Sequence, residues 1–273
     1  MADVTRIVSV ANQKGGVGKT TTTVNVAASL AQSGFQVLVI DLDPQGNAST
    51  ALGIDHHEGV HGVYEVLGGE VSLADVVKAC PDVPGLWGAP ATIDLAGAEI
   101  ELVSQVAREY RLSRAVEKYV QDFERAEGKP LDFILMDCPP SLGLLTLNGL
   151  VAARELLLPI QCEYYALEGL SQLLRTVDMV QTHLNPELEV SAILLTMYDG
   201  RTRLASQVVD EVRTHFGTRV LQTVIPRAVR VSEAPSFAQT IMTYDASSPG
   251  ALTYREAAEE FAAIVPKGAN SPS

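Results

Sequence analysis

Short apolar runs separated by helix-length stretches recur along the chain, at residues 7–11, 37–41, 133–137, 156–160, 192–197 and 220–225. Runs of this length, apolar without alternation, suit strands buried on both faces of a parallel sheet. Two of the intervening stretches carry apolar residues at helical spacing: Leu167, Leu170, Leu173, Leu174, Val177 and Val180, then Leu204, Val208, Val209, Val212 and Phe216. Strands alternating with helices imply right-handed crossovers, so the pattern predicts an α/β fold: a doubly wound, mostly parallel sheet with helices on both faces. The expectation is one domain over residues 1–265 and a short polar tail over 266–273. Residues 53–69 and 81–90 are rich in turn formers and are expected to be surface excursions.

Composition narrows this picture. At 273 residues, 47% hydrophobic and 19% charged, the chain can bury a sizeable core. No apolar run approaches the roughly 18 residues of a membrane span, and residues 1–6 lack the apolar stretch of a secretory signal, so a cytoplasmic protein without membrane partners is expected. The three cysteines, Cys80, Cys138 and Cys162, are odd in number and widely spaced, which fits a reducing compartment. A formal net charge of −13 argues against nucleic acid as a partner unless a local basic patch supplies the contacts.

Chemistry concentrates at the ends of the predicted strands. Run 7–11 leads into Asn12-Gln13-Lys14-Gly15-Gly16-Val17-Gly18-Lys19-Thr20-Thr21 and then a helix-competent stretch. Glycines let backbone N–H groups curl around phosphate oxygens, and a helix N-terminus adds positive potential there. In such a phosphate loop Lys19 reaches the β- and γ-phosphates and the Thr20 hydroxyl is a direct Mg²⁺ ligand. Gly15, Gly16, Val17, Gly18 and Thr21 complete the nucleotide cradle, so the cofactors expected are ATP and Mg²⁺. Run 37–41 ends in Asp41-Leu42-Asp43-Pro44-Gln45-Gly46-Asn47, which places two carboxylates at the sheet edge where open α/β folds bind ligands. Run 133–137 ends in Asp137-Cys138-Pro139-Pro140-Ser141, an acid suited to the hydration shell of Mg²⁺ followed by a stiffened loop. His56, His57 and His61 lack any further ligand at metal spacing, and Gly59 interrupts a helix there, so they read as a solvated loop.

The loop departs from the general pattern: Gln13 stands where glycine is usual, and a second lysine, Lys14, follows. This KGG-x-GK-TT form resembles the deviant Walker A motif of the ParA/MinD group of ATPases. The resemblance implies that Lys14 acts across an ATP-sandwich homodimer on the partner's phosphates, that Asp43 orients the attacking water, and that Asp41 and Asp137 face the metal through water. Segments 90–99, 161–165, 196–202, 225–227 and 232–235 extend the likeness over nearly the whole chain, and together they look like the chromosomal ParA proteins, also called Soj.

That resemblance implies a weak ATPase whose dimer holds double-stranded DNA non-specifically on the nucleoid and lets go when a ParB-like partner stimulates hydrolysis. It places DNA-contacting basic residues at Arg201, Arg203 and Arg230, with Arg213 and Arg219 able to extend the patch. Pro226 and Arg227 fall where the family closes around adenine, so Arg227 serves either nucleotide or DNA. Two rivals stand beside this reading. A MinD-like ATPase would position a protein or membrane cargo without touching DNA, but residues 266–270 lack the length and apolar face of its membrane helix. A helix-turn-helix region, as in larger plasmid relatives, is not expected ahead of a first strand that begins so early. An ATP-dependent enzyme acting on a carboxylate metabolite would need a further acid, base or cation beside the γ-phosphate.

Overall fold

The computed structural model describes residues 5–163 and 170–265. Among these, eight strands form one sheet: β1 (Arg6–Val10), β2 (Val37–Asp41), β3 (Lys78–Ala79), β4 (Leu86–Ala89), β5 (Phe133–Asp137), β6 (Glu155–Gln161), β7 (Glu189–Tyr198) and β8 (Val220–Pro226). Their order is β3-β4-β2-β5-β1-β6-β7-β8, and every neighbouring pair is parallel except β3 with β4. The longer helices are α1 (Lys19–Gln32), α2 (Arg111–Glu127), α3 (Leu144–Ala152), α4 (Leu170–His183), α5 (Arg203–Phe216) and α6 (Pro249–Ala262).

Alternation along each buried strand divides the core in two. Leu38 and Ile40 of β2 join Ile134 and Met136 of β5 on one face, against Val116 of α2, Leu145 of α3, Leu173 of α4 and Val208 of α5. Val37, Val39, Phe133 and Leu135 point the other way with Val8 and Val10, against Val24 and Leu30 of α1 and Tyr254 and Phe261 of α6. The fold is the doubly wound α/β arrangement that the strand pattern implies. The order in which strands are added reverses about β1, which lies between β5 and β6, and ligands of such sheets bind beyond the strands' carboxyl ends at that switch point.

Two expectations change. Residues 81–90 are not only a surface excursion, because β4 lies within them and pairs with β2 through Val37–Leu86 to Ile40–Ala89. Gly88 interrupts its apolar run because a Cβ there would meet Ile54 Cδ1 at 2.4 Å. Residues 53–69 contain a short helix, Val63–Gly68, whose start is fixed by Gly62 N–H donating to Glu65 Oε2 at 2.7 Å. The predicted tail 266–273, the Tyr164-Tyr165 part of segment 161–165 and Leu167 lie outside the described residues.

Candidate functional site

Register assembles the site. Val10 of β1 and Asp41 of β2 both stand opposite Asp137 of β5, so the phosphate loop and two carboxylates leave the sheet at one level. The loop turns through Gly16 (φ 75°) and Gly18 (φ 86°) before α1 begins at Lys19. Neither conformation suits a residue with a side chain. Asn12 braces the turn, its Oδ1 accepting from Lys14 N–H (3.0 Å) while its Nδ2 donates to the Pro159 carbonyl (2.8 Å). Val17 is buried, and its carbonyl accepts from Thr196 Oγ1 of β7 at 2.8 Å. Thr20 and Thr21 are half-buried at the start of α1, and Gly15 and Gly16 are exposed.

The two lysines of the loop take different environments. Lys19 is buried, and its Nζ donates to the Lys14 carbonyl at 3.3 Å. Burial pushes its ammonium pKa down, while Asp137 and Asp43 pull it back up. Lys14 points to the half-exposed rim, where its Nζ pairs with Glu163, a residue that follows β6. Sequence reasoning gave Glu163 no role, because nothing in its spacing links it to Lys14.

Asp41 is fully buried and well braced: Oδ2 accepts from Ser49 N–H (2.8 Å) and Ser49 Oγ (2.7 Å), and Oδ1 from Asp43 N–H (3.1 Å). Asp137 is also fully buried, but only Oδ1 has a donor, Thr23 Oγ1 at 3.0 Å. Its Oδ2 has no hydrogen-bond partner among the described residues. Burial pushes both carboxyl pKa values up, Asp137 further because Asp41 adds repulsion, while the Thr20 and Thr23 hydroxyls favour its ionised form. A buried carboxylate oxygen without a donor, beside a second acid and the hydroxyl of Thr20, is a donor set that fits a hydrated divalent cation. Asp43 is nearly buried, its Oδ1 accepting from Gln45 N–H at 3.0 Å.

No group of three or more His, Cys, Asp or Glu side chains arranged to hold a metal occurs among the described residues. His57 pairs with Asp55 at 3.1 Å. His56 departs from the solvated reading, being half-buried and bonded to Thr50. Cys80, Cys138 and Cys162 are all buried. Burial pushes the Cys138 thiol up to about 12 and the Cys162 thiol up to about 11, which keeps both protonated and unreactive.

The arginines gather at the carboxyl ends of β7 and β8. Tyr198 pairs with Pro226, and Arg227 N–H donates to the Tyr198 carbonyl at 3.0 Å, so segments 198–203 and 226–230 adjoin. Arg201 grips Asp199 through Nε (2.8 Å) and Nη2 (2.7 Å). These bonds, with Arg227 nearby, hold the Asp199 carboxyl down to about 2. Arg203 is exposed at the first position of α5. Arg230 lies 3.8 Å from both Glu233 and Asp245 and stacks over Tyr244. Arg213 donates through Nη2 to the Gln222 carbonyl at 2.9 Å, which ties α5 to β8. Arg219 is exposed. Met197, near the end of β7 and ahead of the arginines, has φ 53°, and its side-chain tip lies beside Gly18 of the phosphate loop, where a Cβ would be 3.9 Å from it.

Comparison with known proteins gives this geometry its context. The AAA domain family matches residues 5–190. The chain is 52% identical to the sporulation initiation inhibitor protein Soj of Bacillus subtilis (strain 168), over 94% of this chain and 98% of that one. It is 48% identical to the chromosome partitioning protein ParA of Caulobacter vibrioides, over 95% of this chain and 94% of that one. Among solved structures, cobyrinic acid a,c-diamide synthase from Mycobacterium smegmatis, bound to an ATP analogue and magnesium, superposes with a TM-score of 0.79 at 41% identity, covering 94% of this chain and 93% of that one.

Proposed function

The chain belongs to the ParA/Soj family of partitioning ATPases, and from that premise we propose that it is a DNA-partitioning switch in which ATP drives formation of a homodimer and the dimer holds DNA. ATP and Mg²⁺ are its substrate and cofactor. Lys19 holds the β- and γ-phosphates from inside the loop, and the backbone of Gly15 to Thr21 cradles them. Thr20, Asp41 and Asp137 would hold Mg²⁺, Thr20 directly and the acids through water; the ion supplies charge neutralisation at the phosphates. Asp43 orients the attacking water at the mouth of the site. Lys14 crosses to the phosphates of the second subunit, where it meets the charge that develops during hydrolysis.

The observation that carries this reading is the divergence of the two loop lysines: Lys19 is turned inward towards Asp43 and Asp137, whereas Lys14 reaches a half-exposed rim. An inward lysine can serve only its own nucleotide. An outward one is free to serve a neighbour's once it leaves Glu163.

Arg201, Arg203 and Arg230 form the DNA surface of this proposal. Arg227 sits between that surface and Pro226, where it serves nucleotide or DNA. A subunit of net charge −13 offers few phosphate contacts, and pairing two subunits doubles the patch, so ATP controls DNA binding through dimerisation. A ParB-like protein accelerates release, and the protein resides in the cytoplasm on the nucleoid. No helix of the described residues is long and apolar enough to cross a membrane.

The name of the 41%-identical solved structure favours a second reading, ATP-dependent amide formation on a carboxylate. That chemistry needs an acceptor pocket with its own acid, base or cation beside the γ-phosphate; the chromosome partitioning protein ParA is more alike, at 48% identity against 41%, so partitioning is the better reading. Sedimentation of the purified protein with ADP, ATP and a non-hydrolysable analogue tests it. Monomers with ADP and dimers with ATP are expected, and monomers in every nucleotide state would overturn the switch.

A further inference from the structure

Behind the Asp43 turn lies a contact that the phosphate-loop chemistry does not use. The chain leaves Asp43, turns at Gly46 (φ 64°), forms the short helix Asn47–Ala51 and then folds back so that His56 covers the turn. A Cβ on Gly46 would sit 2.7 Å from His56 Nδ1 and 2.8 Å from Cε1, so the imidazole occupies the space that a side chain at position 46 would need. On its other edge, His56 Nε2 lies 2.9 Å from Thr50 Oγ1.

Thr50 Oγ1 has a single proton; placed on the Gly46 carbonyl at 3.0 Å, it leaves the hydroxyl to accept from His56 Nε2–H, the arrangement in which all three groups are bonded. The relay runs from His56 through Thr50 to Gly46. Gly46 N–H in turn donates to the Asp43 carbonyl at 2.9 Å, while Gln45 N–H fixes Asp43 Oδ1 at 3.0 Å. Every link in this series acts on the backbone that carries Asp43.

We infer that His56 is a positioning residue for ATP hydrolysis: through Thr50 and Gly46 it holds the Asp43 turn in the conformation from which the carboxylate orients water. This rests on the reading of Asp43 given above. The contacts of His56 are with Thr50 and Gly46 rather than with the phosphate loop, so loss of its ring is expected to change turnover without changing ATP affinity. A side chain that only filled space would show no dependence on its donor nitrogen. Glutamine, whose Nε2 reaches about as far as that of histidine, replaces the donor; alanine does not.

The test measures kcat, KM and ATP affinity for His56→Ala, His56→Gln, Thr50→Val, the double variant His56→Ala/Thr50→Val and Asp43→Ala. The expected result is a fall in kcat of about 3- to 10-fold in His56→Ala and in Thr50→Val, the equivalent of one neutral hydrogen bond. ATP affinity should stay within about twofold, the double variant should be no worse than either single one, and His56→Gln should recover wild-type kcat. Thr50→Val keeps the test open if His56→Ala does not fold. Wild-type kcat in both single variants, or fully additive losses, alongside a strongly impaired Asp43→Ala, would overturn the relay and leave the Asp43 reading intact. Wild-type turnover in Asp43→Ala would overturn the Asp43 reading itself, and this inference with it.

Discussion

Replacing Asp137 by asparagine should stabilise the nucleotide-free protein while it destroys the enzyme. Asp137 is fully buried, one of its oxygens lacks a donor, and Asp41 stands opposite it across the β2–β5 ladder. Burial and that neighbour both raise its pKa. A carboxyl whose folded pKa lies above its unfolded value contributes stability that is fully present below the unfolded pKa, roughly 4, and is lost as pH rises through the folded pKa. Asparagine does not titrate, can keep the bond from Thr23, and removes the repulsion with Asp41. Relieving one buried carboxylate oxygen that has no donor predicts a gain of about 1–3 kcal/mol for Asp137→Asn at pH 8, or about 2–12 °C in Tm for a chain of this size. Calorimetry of both proteins in chelator without nucleotide, at pH 5 and pH 8, reads this directly. The gain should be larger at pH 8. A variant that melts at or below wild type at pH 8, or a gain that grows towards pH 5, would refute the electrostatic account of Asp137.

The remaining predictions separate the steps of the cycle. Glu163→Gln should tighten the ATP dimer, because Lys14 no longer has to leave its own subunit's carboxylate. With side chains 34% and 37% exposed, a pair of this kind is worth about 0.2–1 kcal/mol, so two pairs per dimer predict about a 2- to 30-fold lower dissociation constant by equilibrium sedimentation. Lys14→Ala should bind ATP yet stay monomeric in the same experiment. Asp43→Ala should form a persistent ATP dimer with turnover reduced about 100-fold or more, measured as phosphate release. Lys19→Ala should lose ATP binding in a fluorescent-nucleotide titration.

What was legible in the sequence follows from physical scale. Strands β2 and β5 could be read to the residue because both are apolar throughout and end in an acid at the sheet edge. The phosphate loop was legible because its glycines and lysines are contiguous. Strand β4 was missed because Leu86-Trp87-Gly88-Ala89 is four residues long and broken by a glycine that only its contact with Ile54 explains. His56 was read as solvated because its partners, Thr50 and Gly46, become neighbours only once the chain folds back on the turn. Glu163 stayed silent for the same reason: 149 residues separate it from Lys14. The bond from Arg213 to the Gln222 carbonyl was not legible, because nothing in the sequence says that β8 lies beside that end of α5. Residues contiguous with the phosphate loop or at the end of an apolar strand left a signal in the sequence, whereas His56 and Glu163, whose partners are brought to them by folding, left none.

The central claim is that ATP turns DNA binding on, and retention on long non-specific DNA at moderate salt tests it most directly. Wild type, Lys14→Ala and Arg201→Ala/Arg203→Ala would each be assayed without nucleotide and with ADP, ATP and a non-hydrolysable analogue. The expected result is retention of wild type only with ATP or the analogue, with a dissociation constant of about 10⁻⁴–10⁻⁶ M that weakens steeply with salt. Retention should be lost in Lys14→Ala for want of a dimer, and in the arginine variant although its dimer persists. Wild-type dimers that form with ATP yet ignore DNA in every state would contradict the claim, and would leave an ATPase whose cargo lies elsewhere.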